Sequence, residues 1–234
     1  LESAGETKHR WLEGKPLQFT LVAVILVLIG GLIEIIPTFL VKSNIPTISS
    51  VKPYTPLELQ GRDLYIREGC NNCHSQMVRP FRSETERYGE YSKAGEYVYD
   101  HPFLWGSKRT GPDLHREGKK YPNTWHYLHM QDPRQISPGS LMPNYAWMLD
   151  NDLDISTTED KINTMRKLGV PYPEGFEKIA NDELNKQAME IAADLQKNGA
   201  PAAPEKEIIA MIAYLQRLGT DIKGEKTADV KEVK

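Results

Sequence analysis

Cys70-Asn71-Asn72-Cys73-His74 is a C-x-x-C-H sequence, and its two cysteines are the only ones in the chain. Two thiols at this spacing reach the two vinyl groups of one porphyrin and form thioethers, while the adjacent His74 projects onto the iron from the same side. The expected cofactor is one covalent haem c held by Cys70, Cys73 and His74. Other uses of the pair fit less well. A redox dithiol places its first cysteine at a helix N-terminus, where the dipole favours thiolate, and this pair follows the end of a predicted helix. A zinc site needs about four ligands; no second cysteine pair exists, although histidine donors remain. A disulfide framework needs more cysteines, more widely spaced.

Upstream of the motif, Thr55 as N-cap, Pro56 at the first helical position and Glu58 closing a capping box predict a helix start. Leu57, Gly61, Leu64 and Tyr65 recur at helical spacing, and Gly69 ends the helix. Met77 to Asp100 is polar and rich in Tyr and Gly without a period, and reads as an ordered surface loop. In Gly111-Pro112-Asp113-Leu114, a Pro112 carbonyl aimed at the second nitrogen of His74 would fix its tautomer and raise its basicity. As a plain turn, Gly-Pro is common, so the C-x-x-C-H upstream gives it its meaning.

Beyond Asp150 three helices are expected. Ser156 and Glu159 make a second capping box, with Ile162, Met165 and Leu168 on one face and Gly169 as the stop. Leu184, Ala188, Ile191 and Leu195 share the next face, ended by Gly199; Ile208, Met211, Ile212, Leu215 and Leu218 share the last, ended by Gly219. No strand shows clean alternation.

The iron needs a sixth ligand, and there are seven Met and five other His. Met142 lies in Ser140-Leu141-Met142-Pro143-Asn144-Tyr145, where Pro143 stiffens the loop and removes a competing backbone donor. Met130, Met165, Met189 and Met211 lie on apolar helical faces and read as core filler. Met77 is too close to His74 to cross the ring. His115, His126 and His129 are the rivals; His126 and His129 share a helix face, and Trp125 and Tyr127 beside them suit haem-wall packing equally. Met142 is the expected ligand opposite His74. Met/His ligation raises the reduction potential and fills both axial positions, so such a haem relays electrons.

With 234 residues, 39% hydrophobic, 26% charged and a net charge of −3, the chain has room for one soluble domain and an anchor, and is too mixed in sign for a nucleic-acid binder. Leu17 to Val41 is its one strongly apolar stretch, and Phe19 to Ile33 has one hydroxyl, Thr20, and no charge. It lacks the polar stripe of a core helix and the short apolar run and cleavage site of a signal peptide, so a retained membrane span is expected. The expected organisation is an N-terminal segment 1–16, a span 17–41, a linker 42–55 with Pro46, Ser49-Ser50 and Pro53, a haem domain 56–219, and a charged disordered tail 220–234. Lys8, Arg10 and Lys15 before the span against Lys42 and Lys52 after it favour a cytoplasmic N-terminus only weakly. Glu34 inside the span either meets a polar group of a partner subunit or reaches the headgroups. A start at Leu1 points to processing or to a longer polypeptide.

Capped helix, C-x-x-C-H, Gly-Pro-x-Leu, aromatic helix, Ser-x-Met-Pro and a last helix with Tyr214-Leu215 follow in the order of the class I cytochrome c fold, which the chain resembles. In that fold the first and last helices cross, which would set Gly61 and Tyr65 against Tyr214 and Leu215. Gly31 to Pro37, Cys70 to Tyr88, Trp105 to Leu114 and Ser140 to Trp147 are together similar to the mono-haem subunit II of the cbb3-type cytochrome c oxidase. The resemblance covers residues 10–150 and 205–219, with 150–204 the least similar. It implies an all-α protein, a single N-terminal transmembrane helix followed by a class I cytochrome c domain with helical insertions.

The resemblance further implies a non-catalytic electron-transfer subunit of a proton-pumping terminal oxidase. Electrons would come from a di-haem cytochrome c subunit or a soluble cytochrome c and pass to the low-spin haem b of the catalytic haem–copper subunit I, which reduces oxygen to water. The location implied is the bacterial inner membrane, with membrane lipid around the span and the haem domain in the periplasm. Fusion of subunits I and II, known in the family, would account for the start at Leu1. By the same resemblance Arg109 is a candidate haem-propionate partner, against the alternative of a solvated loop charge, and Arg79 to Tyr88 touches neighbouring subunits. The rivals are the small subunit of a nitric oxide reductase, which lacks the long run after His74; a haem sensor, which needs an open axial position; and a dithiol oxidoreductase.

Overall fold

The computed structural model describes residues 11–41, 45–106 and 108–223. Lys8, Arg10, Lys42, Ser107 and the charged residues 224–234, on which parts of the sequence reading rest, lie outside the described residues. The chain divides into two compact units, Leu1–Pro46 and Thr47–Lys234.

The first unit contains one long helix, α1 (Pro16–Leu40), with Pro16 at its first position, where a missing N–H costs nothing. Its 25 residues rise about 38 Å, enough for a hydrocarbon core of about 30 Å. Leu17, Ile25, Val27, Ile33 and Leu40 point outward all round the helix, and none of it is buried within the protein. An apolar surface with no protein cover is what lipid would cover.

The second unit is helical; among the described residues the only ladder contact is an isolated bridge, Asp152 to Lys206. The predicted capping box opens α2 (Pro56–Arg67): Glu58 N–H donates to Thr55 Oγ1 at 3.3 Å, and Thr55 N–H donates back to Glu58 Oε2 at 2.8 Å. After α2 the backbone turns through Gly69 at φ 71°, as the sequence predicts, into a 3-10 turn at Cys70–Asn72. A short helix α3 (Arg82–Tyr88) follows, then α4 (Asn123–Gln131), α5 (Pro133–Ile136), α6 (Trp147–Asp150), α7 (Thr158–Lys167), α8 (Phe176–Lys197) and α9 (Glu207–Arg217).

The expected crossing of first and last helices is present, and α2 with α9 is the most extensive helix pairing in the unit. Its closeness comes from Gly61, where a Cβ would lie 1.9 Å from the Ala210 carbonyl oxygen and 2.8 Å from Tyr214 Cβ. Tyr65 meets Tyr214 at 5.3 Å between ring centroids. Leu57, Leu64, Ile208, Met211, Ile212 and Leu215 fill the crossing and are buried, each contributing about 1.5–3 kcal/mol.

Residues 150–204 form a buttress. Ile162, Met165, Val170, Tyr172 and Ala180 make a second core against Leu59 of α2. Polar ties reinforce it: Gln60 Nε2 donates to Thr158 Oγ1 at 2.8 Å, and Tyr172 OH to the Tyr54 carbonyl at 2.6 Å.

Four local expectations are corrected. The Ser156–Glu159 capping box does not form, because Asp154 Oδ1 captures the Ser156 N–H at 2.9 Å and α7 starts two residues later. Leu168 and Met189, expected in the core, are 54% and 57% exposed. The stretch 77–100 is not merely surface loop; it contains α3 and a 3-10 turn at Ala94–Tyr97, and buries Val78, Glu84, Tyr97 and Asp100. The first residues of the expected tail are folded: Asp221–Lys223 form a 3-10 turn with Ile222 buried, and Arg217 pairs with Asp221.

Gly61→Ala should lower stability by at least about 3 kcal/mol, the upper end of overpacking costs, because backbone lies where the methyl must go. Urea unfolding of the haem-loaded protein checks this; a loss under about 1 kcal/mol would mean the crossing can open.

Candidate functional site

The 3-10 turn after α2 delivers the two cysteines and the histidine. Cys73 and His74 N–H groups both donate to the Cys70 carbonyl, at 3.2 and 2.9 Å. Against this turn lies the 110–114 segment, fastened by Gly111 N–H to the Cys73 carbonyl at 3.0 Å and Leu114 N–H to the Ser75 carbonyl at 2.9 Å. Between these rungs, the Pro112 carbonyl lies 2.8 Å from His74 Nδ1. A carbonyl can only accept, so Nδ1 carries the proton and donates, and Nε2 keeps its lone pair. Gly111 is required here because a Cβ would stand 2.3 Å from His74 Cε1. Burial lowers the His74 pKa and favours the neutral, ligating form.

Cys70 is buried, Cys73 is exposed, and no disulfide joins them. Burial pushes the Cys70 thiol up to about 12, opposite to the depressed value an attacking thiolate needs. That chemistry fits an alkylated sulfur buried beside a porphyrin.

Met142 is half-buried and packs against the main core, which also contains Cys70 and Met130. Its loop is held by Met142 N–H on Ser140 Oγ at 3.2 Å and by Tyr145 N–H on the Met130 carbonyl at 2.8 Å. Among the rival histidines, His115 is committed elsewhere: its Nε2 pairs with Glu96 Oε2 at 2.9 Å and its ring stacks on Tyr97 at 4.7 Å. His129 stacks on Trp125 at 4.6 Å, and Trp125 on Tyr121 at 4.1 Å, forming a wall of parallel rings along α4. Burial and then the charge of His74 lower the His129 pKa. His126 Nε2 and His129 Nδ1 are buried without a partner among the described residues. Such orphaned polar atoms, with the bare Nε2 of His74, fit a large group with polar edges seated against α4.

Arg109 is not a solvated loop charge, being 17% exposed. It donates to Ser75 Oγ at 2.8 Å, to the Met77 carbonyl at 2.9 Å and to Glu84 Oε2 at 2.7 Å, and covers the Tyr88 ring. Asp113 completes the cluster: its Oδ2 accepts from Ser75 Oγ and Met77 N–H, both at 2.7 Å, and its Oδ1 from His115 N–H at 2.9 Å. Hydrogen bonding from Arg109 holds the Glu84 carboxyl at about 2. These residues pin the chain just after His74 to the 109–115 segment. Sequence reasoning missed Ser75, Glu84, Glu96 and Asp113; for Asp113 the only signal was its place after Gly-Pro.

Residues 9–222 match the family described as Cytochrome C oxidase, mono-heme subunit/FixO. The chain belongs to this family. A mono-haem subunit carries one haem and serves electron transfer within an oxidoreductase complex, alongside partner subunits. No curated protein matches the chain. The matched span of the mono-haem subunit includes residues 150–204.

Glu96 gives a pH signature to this scaffold. Burial alone would raise its carboxyl, but hydrogen bonds from His115 and Arg116 overcome burial and hold it at about 2, against an ordinary 4.5. A depressed carboxyl stabilises the fold above its unfolded value and loses that contribution as pH falls toward its folded value. Between pH 4.5 and about 2 the protein should lose about 2–3 kcal/mol through this group. Glu96→Gln should start less stable and show a flatter profile across that window; identical slopes in urea titrations would rule Glu96 out as the acid-sensitive group.

Proposed function

We propose that Cys70 and Cys73 bind one haem c covalently, that His74 and Met142 are its axial ligands, and that the subunit relays single electrons without converting a substrate itself. The observation that carries this is the 2.8 Å contact from His74 Nδ1 to the Pro112 carbonyl, which leaves Nε2 as a neutral, oriented donor beside two free cysteines. The bound haem supplies a one-electron couple with both axial positions filled. Everything else is done by the chain. Gly111 and Pro112 orient the imidazole; the Ser140–Tyr145 loop brings the Met142 thioether to the edge of the apolar core; the α4 rings exclude water.

The donor in this reading is a di-haem cytochrome c subunit or a soluble cytochrome c, and the acceptor is the low-spin haem b of the catalytic haem–copper subunit that reduces oxygen. α1 anchors the chain in the bacterial inner membrane among lipid, with the haem domain on the periplasmic face and Glu34 meeting a polar group of a partner. Arg109 fastens the His74 segment through Ser75, Met77 and Glu84.

Pyridine haemochrome analysis of the intact complex, with mass measurement of this subunit, should give one haem c bound through two thioethers. An unmodified polypeptide mass would refute the proposal. Met142→Ala should keep the haem, shift it toward high spin and lower its midpoint potential by on the order of 0.1 V; a low-spin spectrum at unchanged potential would point to another ligand, His129 first. Cys70→Ala should leave the haem weakly held or absent.

A further inference from the structure

A hollow of about 400 Å³ opens against Gly111 and Pro112, the two residues that hold His74. Its remaining wall is Ser83, Glu84, Arg87, Tyr88, Arg109 and Thr110. The Tyr88 ring carries two guanidinium groups, Arg87 and Arg109, each 5.2 Å from its centroid. Arg109 is neutralised by Glu84 at 2.7 Å. Arg87 is different: it is exposed and has no carboxylate partner among the described residues. The other exposed arginine of α3, Arg82, is paired with Glu86 at 2.7 Å.

A guanidinium laid on an aromatic ring is already oriented, so it loses little freedom when a carboxylate binds its fork. The frame around it is fixed as well. Glu84 is buried and gathers Arg79 and Arg109, and Asp113 ties Met77 and Ser75 to the same cluster. Glu84, also in the wall, compensates Arg109, so Arg87 supplies the net positive charge that an anionic group entering the hollow would meet. From this hollow to His74 the path is short: the Pro112 carbonyl is itself hydrogen-bonded to the imidazole.

We infer that this hollow seats a carboxylate side chain of the partner subunit that accepts the electron, with Arg87 as its counter-charge. The inference rests on the relay reading above and adds where the acceptor docks and by what chemistry. Electrons then leave on the His74 side, through the Gly111–Pro112 turn, while the Met142 side is left for the donor.

The test uses the intact oxidase complex bearing Arg87→Glu, Arg87→Gln or Arg87→Lys. Three measurements are made: the haem c spectrum and midpoint potential, the rate of haem c to haem b transfer after rapid mixing, and retention of this subunit on size exclusion at rising salt. With Arg87→Glu the spectrum and midpoint should match wild type, while transfer slows at least about tenfold or the subunit dissociates at lower salt. Arg87→Lys should fall between. Wild-type transfer and retention in Arg87→Glu would overturn the inference. So would a shifted midpoint with unchanged retention, which would mean that the carboxylate belongs to the chain's own haem. If Arg87→Glu fails to fold, the neutral Arg87→Gln gives the same reading, with a smaller effect expected. Absence of haem c from the wild-type complex would instead sink the relay reading, so the two failures are distinguishable.

Discussion

An imidazole serves an iron well only when one nitrogen is engaged and the other is bare, and the second unit is organised so that His74, the axial ligand in our proposal, meets that condition. The Pro112 carbonyl takes the Nδ1 proton, and Gly111 lets the backbone approach closely enough for it to do so. Neither contact would hold on a mobile loop. The two backbone rungs from Gly111 and Leu114, and the Asp113 carboxylate between Ser75 and Met77, make the 110–114 segment and the C-x-x-C-H turn one rigid piece. The orientation of the His74 imidazole is thereby set by the polypeptide.

Charge is used here for position more than for stability. Glu84, Glu96 and Asp113 are buried carboxylates, each satisfied by arginines, histidine or backbone N–H groups. Buried pairs of this kind add little net stability over apolar packing, yet losing one partner leaves a stranded charge and costs about 3–5 kcal/mol. Such a network tolerates one arrangement only. That property suits a segment that has to keep His74 oriented on one side and, by our inference, present Arg87 to a neighbour on the other.

The remaining architecture supports this piece from behind. The α2–α9 crossing, made close by Gly61, fixes where Cys70 emerges. The α7–α8 buttress then covers the outer face of α2 with a second small core. Separately, α1 forms its own unit, apolar around its whole circumference, which fits a chain belonging to a subunit family of a respiratory oxidase complex.

The short-range features were legible in the sequence because short-range chemistry writes them there. The Thr55–Glu58 box, the Gly69 stop, the C-x-x-C-H turn, the Gly-Pro carbonyl, the apolar helix and the α2–α9 crossing each depend on residues a few positions apart or on a recognised order. What tertiary structure decided was which polar groups find each other across long separations. That Arg109 bonds Glu84 and Ser75 is one such meeting, across 25 and 34 positions. His115, one of the histidines weighed against Met142, gives its ring nitrogen to Glu96, 19 positions away. Helix α3 has no apolar period, since ion pairs rather than burial of a greasy face fix it. Hydrophobic periodicity repeats along a helix and so can be read from one strand of text; an ion pair is a meeting of two side chains that only the folded chain arranges.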